Sequence, residues 1–141
     1  MDSYGISDCS TLAVYGDILC GTGESLSDDM DMIFIRNLKT GEIISRQVKD
    51  ITGYDKNYCC FGAASDGKRV YAGVFDIYVE NGEKKHSAEI IILDRELNLL
   101  DTISDVSTEM IHFLELNEDG TLIAGDIEDG YTIASLIDTE T

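Results

Sequence analysis

A chain of 141 residues is the size of one domain, and its 28 Asp and Glu against 10 Lys and Arg leave a net charge of -18. That balance excludes the clustered cations a nucleic-acid-binding surface needs, while 43% hydrophobic residues exclude whole-chain disorder. No apolar run approaches the roughly 18 residues of a membrane span, and the opening MDSYGISDCS has neither the basic nor the apolar segment of a secretory signal, so a cytoplasmic location is expected.

In chain order, apolar and β-branched residues predict strands at 11–15 and 17–22, an apolar run from Ile33 to an Asx turn at Asn37, and a strand at 43–48. The same order returns at 58–64, 69–75, a run from Ile90 to Asp94, and 99–106. It begins a third time at 110–116, 121–127 and a run from Ile133 to Asp138. Leu26, Met30, Ile33, Phe34 and Leu38 also fall at helical spacing, as do Met110, Phe113 and Leu114; the repeat and the β-branched content favour strands there. Zero prolines and 13 glycines leave the turns to Gly, Asn and Asp. Asp66-Gly67 and Asp119-Gly120 are short-hairpin pairs, and Gly41 aligns with Asn98 as a left-handed turn residue. Gly21, Gly73 and Gly125 follow a small or apolar stretch in each copy at intervals of 52 residues, which predicts three equivalent sheets.

The segments Ala64-Ser-Asp-Gly-Lys-Arg-Val-Tyr-Ala-Gly73 and Leu136-Ile-Asp-Thr-Glu-Thr141 resemble the blade signatures of β-propellers of the WD40-like, YVTN and TolB-like kind. The resemblance covers roughly residues 10 to 141, with neither a Trp-Asp nor a Gly-His dipeptide of the standard WD40 repeat. It implies an all-β fold of three four-stranded antiparallel blades, about 9–50, 51–106 and 107–141, forming a single repeat domain over 1–141. The last blade lacks its outer strand, for which residues 1–8 are a candidate. Closed propellers have about 4–8 blades, so the expectation is a homo-oligomer, with a dimer favoured, that completes the ring between chains; the alternatives are an open three-blade stack or a fragment of a longer propeller.

In such propellers one face is formed by the loops joining second to third strands and one blade to the next. Here those loops are 22–31, 50–57, 76–89, 105–109 and 126–131, and their 43 residues hold 15 acidic and 3 basic side chains. The candidate binding residues are Asp28, Asp29 and Asp31; Asp76, Tyr78 and Glu80; and Asp126, Glu128 and Asp129. Acids beside aromatics on an extended hairpin suit protein contact.

Motifs for catalysis are not found. An EF-hand begun at Asp29 fails at Ile33 and Phe34, where an acid and a glycine are required. Gly21-Thr-Gly23 has Leu26 in the place of the last glycine of GxGxxG, and there is no G-x-S-x-G, HExxH or Walker A sequence. Cys9, Cys20, Cys59 and Cys60 form no CxxC pair and read as reduced, mostly buried thiols. The expected function is a non-enzymatic protein-interaction module, without cofactor or metal, whose acidic loop face binds a basic protein surface. The alternatives are a small-molecule or sugar-binding propeller with a central pocket, and an acidic inhibitor that mimics nucleic acid against a nuclease or defence complex.

Overall fold

The computed structural model describes residues 6–25, 31–53, 59–104, 111, 113–128 and 131–138. Within them the chain is all-β apart from one short helix. A first sheet holds β1 (Ile6–Tyr15), β2 (Ile18–Ser25), β3 (Asp31–Asn37) and β4 (Ile43–Gln47). A second holds β5 (Cys59–Ser65), β6 (Val70–Glu80), β7 (Glu83–Leu93) and β8 (Leu99–Ile103), and a third holds β9 (Phe113–Leu116), β10 (Thr121–Glu128) and β11 (Tyr131–Asp138). Each sheet is an antiparallel meander whose spatial order is its chain order. No helix among the described residues is long and apolar enough to cross a membrane.

Period-2 alternation sorts each strand into two faces, and the second sheet buries both. Val70, Ala72 and Val74 of β6, with Ile91 and Leu93 of β7, share one core cluster with Ile18, Cys20, Ile33 and Ile35 of the first sheet. The intervening residues Tyr71, Ile90 and Ile92 share another with Leu114, Leu122 and Ala124 of the third. This explains why 70–75 and 90–93 read as unbroken apolar runs rather than alternating ones. Sheet follows sheet in the same sense: β5 packs on β1 and β2, and β9 packs on β5 and β6. Each sheet therefore presents a forward face to the backward face of the next.

Register corrects the equivalence of the three glycines. The first hairpin turns superpose Gly16 on Gly67, 51 residues apart, and β1 and β5 carry matching register shifts between Cys9 and Thr11 and between Cys60 and Gly62. On that offset Cys20 matches Tyr71, and both face forward into the next sheet. Gly73 then matches the buried Thr22 rather than Gly21. Gly21 lies opposite Leu12, on the side away from the second sheet. A slip of one residue exchanges the faces. Between the second and third sheets the 52-residue spacing holds, since Ala72 and Ala124 both face backward.

Four other expectations change. Val48 leaves β4 and begins α1 (Val48–Thr52), because Val48 and Ile51 bury one helical face and Gly53, at φ 73°, ends the turn by donating its N–H to Lys49 O. Residues 6–8 belong to β1, where Ile6 pairs with Ser25 and Asp8 with Glu24, so they are not an outer strand of the third sheet; residues 1–5 lie outside the described residues. Most of 76–89 and 126–131, read as loops, is strand. The left-handed turn residue matching Gly41 is Leu97, at φ 63°, and not Asn98. Leu97 is fully buried, and its carbonyl accepts a 2.8 Å hydrogen bond from Arg46 Nη1, contacts that hold a β7–β8 turn one residue shorter than the β3–β4 turn.

Gly73 lies directly beneath Ile111, which precedes β9: a Cβ there would collide with Ile111 Cγ2. Gly73→Ala should destabilise the chain by about 1–3 kcal/mol in urea unfolding, and Ile111→Ala in the same chain should recover part of that loss. Additive losses from the two changes would show that Ile111 does not lie over Gly73.

Candidate functional site

The stack has two ends, and residues of all three sheets meet at one of them. Tyr15 at the end of β1, Asp66 and Arg69 before β6, and Asn117 to Gly120 before β10 together line a cavity of about 460 Å³. The first turns of all three sheets therefore lie at one end, and the β2–β3, β6–β7 and β10–β11 ends lie at the other. With eight residues in β10 the separation is roughly 25 Å, at about 3.3 Å per residue.

At the turn end Asp66 organises the second sheet's first hairpin. Its Oδ1 accepts the backbone N–H groups of Lys68 (3.0 Å) and Arg69 (2.8 Å). Its Oδ2 accepts Arg69 Nε (3.3 Å), Arg69 Nη2 (3.2 Å) and Tyr71 Oη (3.1 Å). The guanidinium stands 5.4 Å from the centroid of the Tyr71 ring, and the Tyr15 ring lies against Gly67. Partial burial pushes the Asp66 carboxyl up, but the hydrogen bonds from Arg69, Lys68 and Tyr71 outweigh it and hold the group below its usual range. Asp94 is lowered chiefly by the Asn98 N–H, and Asp119 chiefly by the Thr121 N–H. These carboxylates fasten turns, so this end is read as structural. The sequence displayed Ser-Asp-Gly-Lys-Arg as a turn but gave no sign that Arg69 and Tyr71 return to the aspartate.

The opposite end carries the acids expected to bind. Asp31 opens β3 opposite Glu24. In the second sheet, β5 pairs with β6 only as far as Phe75, and β8 pairs with β7 only from Ile90. Between those limits β6 and β7 continue as a two-stranded ribbon, Asp76 opposite Ser87, Tyr78 opposite Lys85 and Glu80 opposite Glu83, around the turn Asn81-Gly82. At its tip Glu80, Asn81, Gly82 and Glu83 are exposed, and Val79 is 73% exposed. Lys85 Nζ lies 3.3 Å from Glu83 Oε2. In the third sheet Asp126 stands opposite Ile133 and Glu128 opposite Tyr131. Thus Asp31, Asp76, Tyr78, Glu80, Asp126 and Glu128 share one end, as strand residues; Asp28, Asp29 and Asp129 lie outside the described residues.

Other chemistry is sparse. A crevice of about 430 Å³ between the first two sheets is lined by Ile18, Ile35 and Ile44, with Arg95 Nη2 3.5 Å from Asp17 Oδ2 at its side. Burial pushes the Cys20 thiol up to about 12, which removes it as a nucleophile. Among the described residues no three His, Cys, Asp or Glu side chains converge as a metal site.

The lowered Asp66 value fixes a sign. Its stabilisation is present in full above the unfolded carboxyl value, about pH 4, and is lost as pH falls through the lower folded value. Asp66→Ala should therefore cost about 1–2 kcal/mol at pH 7, and the gap from the native chain should shrink below about pH 3 in parallel denaturant titrations. A gap that stays constant with pH would mean that the carboxylate charge plays no part. Comparison of the chain with protein-family models gives no match, and comparison with curated proteins gives none.

Proposed function

We propose that this chain is a non-enzymatic protein-interaction module, built of three propeller-like blades, whose acidic hairpin end binds a basic protein surface. The observation that carries the reading is the ribbon at 76–89, which extends beyond the four-stranded part of its sheet and places exposed Val79 beside Glu80 and opposite Lys84, next to the Glu80–Glu83 pair at the tip. A two-stranded ribbon without flanking strands contributes little stability, and an exposed apolar residue at its tip contributes none. An apolar anchor inside a charged rim is the arrangement of a binding patch. The chain's charge of -18 would speed encounter with a cationic partner and make that encounter sensitive to salt.

The test pairs a charge change with an apolar one. Immobilised chain should capture its partner from a cell extract at low salt and release it near 0.5 M salt, roughly where the Debye length falls to a few ångströms. Glu80→Gln with Glu83→Gln should weaken capture about tenfold or more, and so should Val79→Ser alone. Polylysine, a purely ionic probe, should bind the Val79→Ser chain as well as the native one. Equal capture of the same proteins by all three chains would refute a role for the ribbon.

A further inference from the structure

We propose that the backward face of the first sheet docks on the forward face of the third sheet of a second copy, so that two chains close head to tail into one ring of six sheets. Structural equivalence identifies the face. Leu12 opposite Gly21 in the first sheet matches Ala63 opposite Ala72 in the second and Leu114 opposite Ala124 in the third. Ala63 is 5% exposed beneath the first sheet and Leu114 is 8% exposed beneath the second, whereas Leu12 is 60% exposed. One step along the same face, Val14 is 65% exposed where its match Ser65 is 6%. The same position is therefore covered wherever a preceding sheet exists and open where none does.

The occupant is a sheet of this same kind whose forward face receives no further sheet among the described residues, and the third sheet, with Ile123 only partly buried, is one. In the second sheet the forward face that receives the third is Tyr71 opposite Ile92 and Gly73 opposite Ile90. The third sheet repeats the register, with Ile123 opposite Leu136 and Gly125 opposite Ala134. It keeps a glycine at the position where Gly73 lies beneath Ile111, and apolar residue types at the other three. The contact between chains would thus continue the sheet-on-sheet contact already made twice within the chain. It joins two different faces, so it grows until it closes. Closed rings of such sheets contain about 4–8 of them, and the only multiple of three in that range is six.

This docking is independent of what the ribbon binds, and salt separates the two. Two chains of charge -18 repel, so self-association should tighten as salt rises, whereas binding of a basic partner should weaken. Sedimentation velocity on the intact chain at about 0.5 M salt should give twice the 15.5 kDa of one chain. Leu12→Asp with Val14→Asp, at positions already open to solvent, should halve that mass without changing the circular dichroism, and Ile123→Asp should do the same from the other face. A native chain that stays monomeric refutes the proposal, as does a mass beyond two chains. A dimer dispersed by the Leu12 and Val14 changes but untouched by Ile123→Asp would mean that the first sheet pairs with itself, which also overturns it.

Discussion

The structure depends on the parity of the second sheet. Along 70–74 of β6 and 90–93 of β7 alternate side chains face the first sheet (Val70, Ala72, Val74, Ile91, Leu93) or the third (Tyr71, Ile90, Ile92), and both sets are buried. Complete burial of a Val, Leu or Ile side chain is worth about 1.5–3 kcal/mol, so a one-residue slip in this sheet would exchange two well-packed faces for two poorly fitting ones. The flanking sheets inherit their register from it. Thr22, Cys20 and Ile18 face inward because Val70, Ala72 and Val74 stand opposite, not because of any signal within β2.

That constraint separates the two ends. Where the first turns converge, Asp66, Arg69 and Tyr71 satisfy one another and pin the hairpin, so the charge there is spent on the fold. At the far end β6 and β7 run past the strands that flank them, and Glu80 and Glu83 lie exposed at the tip. The separation leaves one end to fix the stack while the other projects beyond it as a ribbon.

Much of the fold was legible in the sequence, for physical reasons. β-Branched runs bounded by Gly, Asn and Asp placed the strands, and their recurrence grouped them into three sheets. The glycine spacing misled at its first step, since Gly21 and Gly73 look alike in sequence yet face opposite sides. Only pairing partners reveal that difference. Leu97 could not have been foreseen at φ 63°, because burial and the Arg46 contact, rather than residue type, hold it there. Of the candidate site, the sequence supplied the acids and their grouping near the second hairpins. It could not show that Asp76 to Glu80 continue a strand beyond its neighbours, since where β5 and β8 stop is decided by the ladder and not by 76–80.

The head-to-tail order of faces is the central claim, and methyl–methyl nuclear Overhauser contacts in a selectively labelled sample test it most directly. The account predicts contacts from Ile91 and Leu93 to Ile18 and Ile35, and from Ile90 and Ile92 to Leu114 and Leu122. Contacts from Ile91 to Leu122, or from Leu12 to Val70 within one chain, would contradict it.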